Sequence, residues 1–447
     1  IKRTHGSQEV SDVAKTPRIL VQGIDSRGFG FVEFEGEEYS FKGFLPGDEI
    51  TISFREGKKP LPELIHPSPD RIKPDCPYHG PCGGCDLLAL SEKARIKAKD
   101  NLVKRTLSQI PGTETLEWLP FLPSQSSVRY RPRLRLHQGR NPNSREAGFL
   151  PTEDFKKELK AGIVPVDSCL LITKPLSRRL KIARKALGKI PLRARGLYLA
   201  ASCEGEEKVA GHLILEKGWT PKRSRPLAEK LMQEARLTGL SLSRENSPVE
   251  EVLGSTLLYG LIAPKVRSGP FVGEPAVFSQ GNVFQNPKLI EVVIDFCEIE
   301  PGNRVMEGFA GGGNFTIPLA LKGAKVEAFE ANLDAVRILY KNIGIAKIRE
   351  NVQVIPGDAQ KEIARGKPLP DILLLDPPRE GIPQIGKLLD RLNPRRIVYV
   401  SCNLVSLARD IREILKKSYV PIRGVGMDLY PRTSHAETVL LLKKLSL

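Results

Sequence analysis

The sequence predicts a multidomain α/β chain: a small N-terminal β-barrel over residues 1–70, a mixed α+β central domain over 71–275, and a C-terminal Rossmann-like, doubly wound domain over 276–447. Three observations predict it. Short apolar runs broken by glycine fill residues 17–56. Strand and helix patterns alternate beyond residue 300. Between them lies a cysteine-marked, arginine-rich stretch with no single period.

In the first region Ile19-Leu20-Val21, Gly28 to Val32, Tyr39-Ser40-Phe41 and Glu49 to Ile52 read as four or five short strands, with Pro46-Gly47-Asp48 turning the chain before the last. Such a small barrel either binds single-stranded RNA or only mediates packing. Lys59 to Pro74 reads as a proline-rich connector.

The central region opens with Cys76, Cys82 and Cys85, in Cys-x5-Cys-Gly-Gly-Cys, and a fourth thiol follows at Cys169. Four thiolates suit a cubane iron–sulfur cluster or a structural zinc; zinc sites more often show two Cys-x2-Cys pairs, and here there is one. A basic helix is expected over about 91–107, capped by Ser91 and placed to pack on the C-terminal domain. Then comes Arg129-Tyr130-Arg131-Pro132-Arg133-Leu134-Arg135-Leu136. If extended, it sets Arg129, Arg131, Arg133 and Arg135 on one face and Leu134 and Leu136 on the other. A packed strand seldom spends a whole face on arginine, so these four are candidate RNA-phosphate contacts.

The last region carries strands near 304–308, 325–329, 352–355, 371–375, 396–400, 420–427 and 437–442, and helices near 314–322, 333–343, 383–391 and 404–416. Such alternation builds a largely parallel sheet. Its first strand runs into Gly311-Gly312-Gly313. The second ends in Glu330, suited to ribose hydroxyls; the third is followed by Asp358, within reach of an adenine; the fourth ends in Asp376. Polar groups at successive strand ends are hard to explain as packing, and point to S-adenosylmethionine. The fifth strand ends in Ser401-Cys402-Asn403 before a helix, a setting expected to favour thiolate. Glu437 opens the last strand.

A thiolate and an acid at a methyl-donor pocket fit one reaction. Uracil C5 is a poor nucleophile, and a thiolate added at C6 makes it enolate-like. A base must then take the C5 proton before the sulfur leaves. An amino-group methyltransferase would use Asp376-Pro377-Pro378 but needs no cysteine, and an aromatic normally follows its prolines, where Arg379 stands. A cytosine-5 enzyme would want a second cysteine after the fourth strand. A non-catalytic RNA-binding or iron–sulfur protein would leave Cys402 and Glu437 without a role.

Composition agrees. Against 52 acidic residues stand 69 Lys and Arg, a formal charge of +17 that favours a polyanionic partner, nucleic acid before membrane. No run of 18 apolar residues offers a membrane span. With no secretory signal and seven cysteines, a reducing, cytoplasmic setting is expected.

These motifs resemble the RNA (uracil-5-)-methyltransferase family: Phe278-Ser279-Gln280-Gly281-Asn282, the turn ending Gly-Asn-Phe-Thr, Asp376-Pro377-Pro378-Arg379, Ser401-Cys402-Asn403 and His435-x-Glu437. The resemblance implies that Gln280, Phe309, Asn314, Glu330, Asp358 and Asp376 contact S-adenosylmethionine. Cys402 would be the nucleophile and Glu437 the base. It further implies a [4Fe-4S] cluster on Cys76, Cys82, Cys85 and Cys169, a TRAM-like (OB-like) barrel, a monomer, and the 23S rRNA branch, with a tRNA-methylating branch as the alternative. The family's turn begins Asp-Leu-Tyr-Cys-Gly, where this chain has Glu307 and Ala310; its proline after Ser-Cys-Asn is Leu404 here.

Overall fold

A computed structural model of the chain describes residues 14–54, 57–139, 146–156, 158–159, 162–262, 270–365 and 369–445. The ends of the N-terminal reading, 1–13 and 55–56, lie outside them.

An eight-stranded sheet dominates the C-terminal region. Its order is Val352–Pro356, Lys325–Glu330, Arg304–Gly308, Ile372–Leu375, Arg396–Ser401, Glu437–Lys444, Tyr419–Met427 and Glu117–Trp118. The first five run parallel. Parallel strands are covered on both faces and read as unbroken apolar runs, as all four buried residues of Ile372–Leu375 do. Helices Asn286–Cys297, Thr316–Leu321 and Leu333–Ala346 cover one face, with Val305, Ile372 and Leu374 beneath them. Helices Glu92–Ser108, Ala359–Arg365, Ile385–Leu392 and Leu404–Leu415 cover the other, over Met306, Leu373 and Leu375.

Strand order reverses between Arg304–Gly308 and Ile372–Leu375, which is where a doubly wound sheet opens a crevice at its carboxyl edge. Glu437–Lys444 runs against its neighbours, pairing Ser401 with Thr438 and Met427 with Glu437. Its first residue therefore lies at the edge where the parallel strands end.

Four expected helices appear with ends shifted by at most three residues; Asn286–Cys297 and Ala359–Arg365 were not expected. The basic helix spans Glu92–Ser108, and Ser91 Oγ accepts from the Ala94 N–H. It packs on the catalytic sheet through Leu102, Val103 and Leu107. So the 71–275 region is not one packing unit. This helix, the Glu117–Trp118 edge strand, and Leu258, Phe271 and Val272 all join the catalytic layers.

The rest of that region forms a six-stranded sheet with helices Lys174–Lys189 and Pro221–Glu234 over a shared core. Only Arg133–Gln138 of the arginine run is strand; there Leu134 and Leu136 are buried as expected. Arg129 has a φ of 56°, which breaks the alternation, so the four arginines do not share one strand face.

At the N-terminus a four-stranded and a three-stranded sheet meet over Val21, Val32, Ile50 and Ile52. The supposed connector holds a further strand, Leu61–His66, paired with Glu49–Phe54. Pro62 is tolerated there because this is an edge strand.

Candidate active site

Cys402 follows the last residue of the Arg396–Ser401 strand, and Asn403 caps the next helix by accepting from the Val405 and Ser406 N–H groups. That cap starts the helix without the family's proline at position 404, where a missing N–H costs nothing. Cys402 lines a pocket of 260 Å³ with Arg379, Asn403, Ser434 and His435. Ser26 and Arg27, from a turn of the N-terminal sheets, close its far side.

Three acidic groups crowd this edge. Burial, then Glu437, pushes the Cys402 thiol up to about 12. Burial, then Asp376, holds Glu437 well above the usual carboxylate range. Burial lifts Asp376 to about 7. The expectation that the helix start makes Cys402 a thiolate is therefore corrected: desolvation beside two carboxyls outweighs it. Arg379 is the counterweight, since it pulls both Cys402 and Glu437 toward their charged forms. Its Nη2 lies 3.0 Å from His435 Nε2. Burial and Arg379 keep His435 below its ordinary value, hence neutral at pH 7 and able to accept that bond.

The crevice beside this cluster collects the other expected residues. Gln280 Nε2 donates to Asp376 at 3.2 Å. Glu330 accepts from the Gly311 and Asn332 N–H groups at 2.8 and 2.7 Å, which fixes its carboxylate while leaving lone pairs for a ligand. Gly311 has a φ of 57°, and a Cβ there would meet nothing within 4 Å, so the turn faces open space. Asn314 and Asn286 exchange amide hydrogen bonds. Phe309, with a φ of 65°, is half-buried, and Asp358 is exposed at the third strand's end. Ala310, standing where the family has cysteine, is core. Glu307 is buried under the turn and bonded by Thr316 Oγ1, and burial raises it to about 8.

Cys76, Cys82, Cys85 and Cys169 line a separate cavity of 250 Å³. Burial raises Cys82, Cys85 and Cys169, each further raised by neighbouring thiols. Among the described residues, no three His, Cys, Asp or Glu side chains are gathered to hold one metal ion.

The arginines separate. Arg133 donates to the carbonyls of Val277 and Pro275 at 2.6 and 3.1 Å, bracing the segment that carries Gln280. Arg135 donates to the Arg195 carbonyl and sits over Tyr198. Arg131 donates to the Arg133 carbonyl, and Arg129 is exposed. Sequence reasoning missed Arg379 and His435 as pocket residues although both stand inside quoted motifs. It had no signal for Ser26 and Arg27, which lie far away along the chain.

A doubly wound sheet with its switch point at the edge where Cys402, Asp376 and Glu437 lie defines a Rossmann-like fold of the methyltransferase type. Residues 276–400 match the TRM5/TYW2 methyltransferase domain, and residues 360–445, which hold Asp376, Cys402 and Glu437, match the tRNA (Uracil-5-)-methyltransferase family. The chain is 30% identical to the 23S rRNA (uracil(1939)-C(5))-methyltransferase RlmD of Shewanella sp. (strain MR-4), over 94% of both chains. It is 28% identical to the protein of that name from Alkalilimnicola ehrlichii, over 95% of this chain and 96% of the other. Its fold is that of the Pyrococcus abyssi tRNA (uracil-54, C5)-methyltransferase, solved with S-adenosyl-L-homocysteine: TM-score 0.67, 23% identity, 95% of this chain and all of that one. The chain belongs to the RlmD family of RNA (uracil-C5)-methyltransferases, enzymes that depend on S-adenosylmethionine.

Proposed function

We propose that this enzyme methylates C5 of a uridine in 23S rRNA, with Cys402 as the nucleophile and Glu437 as the base. The observation that carries the reading is the reversed strand Glu437–Lys444, which brings Glu437 to the sheet edge where Cys402 and Asp376 end their strands. Gln280, Phe309, Asn314, Glu330, Asp358 and Asp376 would hold S-adenosylmethionine, and the open turn at Gly311 beside the anchored Glu330 fits a nucleoside. That group supplies the electrophilic methyl when bound.

The Cys402 thiol gives up its proton to solvent, its sulfur bonds to C6 of the base and the C5–C6 π pair moves into an enolate. C5 would then bond the methyl as the bond between that methyl and the donor's sulfur breaks, the pair staying on sulfur. Glu437 takes the C5 proton, the pair left behind re-forms C5=C6, and the C6–S bond breaks to return the thiolate. A carboxyl with a raised proton affinity is suited to that abstraction. The target base must leave its stack to reach a pocket this narrow, costing about a few kcal/mol.

The 23S reading is favoured over tRNA because identity reaches 30% to an RlmD relative along 94% of both chains, against 23% to the tRNA enzyme. Mapping 5-methyluridine in both RNAs from a strain lacking this gene tests it. Loss of one 23S site, restored by the wild-type chain and not by Cys402→Ala, is expected; loss confined to tRNA would select the other substrate.

The four cysteines are assigned to a [4Fe-4S] cluster. All four thiols line one cavity of 250 Å³, which has room for a group of several atoms and is wide for one ion. Anaerobically purified protein should contain iron and sulfide and show visible absorption that air bleaches; a colourless protein with stoichiometric zinc would refute the cluster. The N-terminal sheets are assigned the TRAM-like RNA-binding role, supported by Arg27 at the catalytic pocket. Among the described residues no helix is long and apolar enough to cross a membrane. Free thiols and a ribosomal substrate support a cytoplasmic enzyme.

A further inference from the structure

Glu437 opens its strand at the end of a loop, residues 428–436, that carries no regular structure of its own. The sequence of that loop is polar, and one residue in it is strained: Arg432 has a φ of 71°. A non-glycine residue keeps such a conformation only where its surroundings hold it. Lys99, on the basic helix, donates to Asp428 and to the Tyr430 carbonyl at 2.6 and 2.9 Å. Tyr130 and Asn282 donate to the Pro431 and Leu429 carbonyls at 3.1 and 3.2 Å. Further anchors, on Arg432 and Ser434, come from the segment that carries the first three cysteines.

Asp75, immediately before Cys76, accepts from Arg432 Nη1 at 2.7 Å. Asp86, immediately after Cys85, accepts from the Ser434 N–H at 2.8 Å and from its hydroxyl at 2.6 Å. The Leu87 N–H donates to the Arg432 carbonyl at 3.2 Å. Both carboxylates flanking the cysteine motif thus hold the loop that delivers Glu437. Gly28, with a φ of 80°, closes the same junction: a Cβ there would lie 2.6 Å from Asp86 Oδ2 and 3.0 Å from Ser434.

We propose that Asp75 and Asp86 are positioning residues for the proton-abstraction step, forming a clamp through which the four-thiol centre sets the place of Glu437. The clamp rests on the reading of Glu437 as the base. Two hydrogen bonds donated by Ser434 to one carboxylate, that of Asp86, fix both the backbone and the side chain three residues before Glu437. The hydrogen bonds of Asp75 and Asp86 to the loop involve neither Glu330 nor Gln280, so methyl transfer should survive their loss while elimination should not.

The test is a single-turnover reaction of the full-length enzyme, as isolated, with unmodified substrate RNA and S-adenosylmethionine. It compares wild type, Asp86→Ala, Ser434→Ala and Glu437→Gln. Denaturing gels and mass spectrometry score covalent RNA, alongside iron content and the KM for RNA. Asp86→Ala and Ser434→Ala are expected to slow turnover by roughly 10²-fold, the scale set by small displacements of a catalytic group. Both should accumulate RNA methylated but still bound to Cys402; Asp86→Ala, which lies outside the pocket lining, should do so with iron content and KM unchanged. If Glu437→Gln traps RNA and the two clamp variants turn over normally, the clamp is overturned and the base reading stands. If the clamp variants lose RNA binding or iron without trapping RNA, the segment is merely structural and the clamp is overturned. If Glu437→Gln traps no RNA, the base reading falls and the clamp with it.

Discussion

Cys402 owes its role to its neighbours. As a thiol raised to about 12, it is almost wholly protonated at pH 7 in the absence of RNA. Because that value lies above the working range, its thiolate fraction climbs as pH rises. Alkylation of Cys402 by iodoacetamide, followed by peptide mass spectrometry, should therefore accelerate about tenfold per pH unit between roughly pH 7 and 9. A rate already level at pH 7 would show a thiolate held ready in the free enzyme. At this scale the sequence located polar residues at the ends of apolar strands, as with Glu330, Asp376 and Cys402. The charge state was not legible, because the helix start can be read from Asn403 whereas the desolvation and the crowding by Glu437 and Asp376 are products of the fold. The arginine run shows the same limit. Alternation correctly sends Leu134 and Leu136 inward, but only the tertiary structure shows Arg133 bound to the carbonyls of Pro275 and Val277.

Among elements, the strands of the parallel sheet were legible because burial on both faces writes them as continuous apolar runs. Leu61–His66 escaped notice because prolines mark a connector more often than an edge strand, and Glu117–Trp118 because two residues carry no period. The basic helix was foreseen, and so was its packing on the C-terminal domain; the reason for its firmness was not. Lys99 is fully buried and meets Asp428, itself nearly so, at 2.6 Å. Lys99→Met leaves that carboxylate unpaired in the interior, so it should destabilise the protein by about 3–5 kcal/mol. Urea denaturation followed by tryptophan fluorescence would measure it, and a midpoint unchanged from wild type would mean that the pair contributes no net stability. The same variant frees one end of the catalytic loop, since Lys99 also binds the Tyr430 carbonyl.

Across the whole molecule, residues from all three regions converge on one thiol. Ser26 and Arg27 close its pocket, the cysteine segment holds the loop before Glu437, and the sheet supplies Asp376, Cys402 and Glu437. A charge of +17 suits an RNA partner, whose phosphates make binding steeply dependent on salt. The convergence of the three regions was not legible in the sequence, because contacts between segments hundreds of residues apart leave no local pattern. The central claim is that Cys402 adds to C6 of a uridine whose C5 then accepts the methyl group. Its most direct measurement is incubation of the enzyme and S-adenosylmethionine with substrate RNA containing 5-fluorouridine, where fluorine replaces the proton that Glu437 must remove. The account predicts a stable protein–RNA adduct, mapped by mass spectrometry to Cys402, carrying the transferred methyl group and absent from Cys402→Ala. Methylation without any adduct, or an adduct on another cysteine, would contradict it.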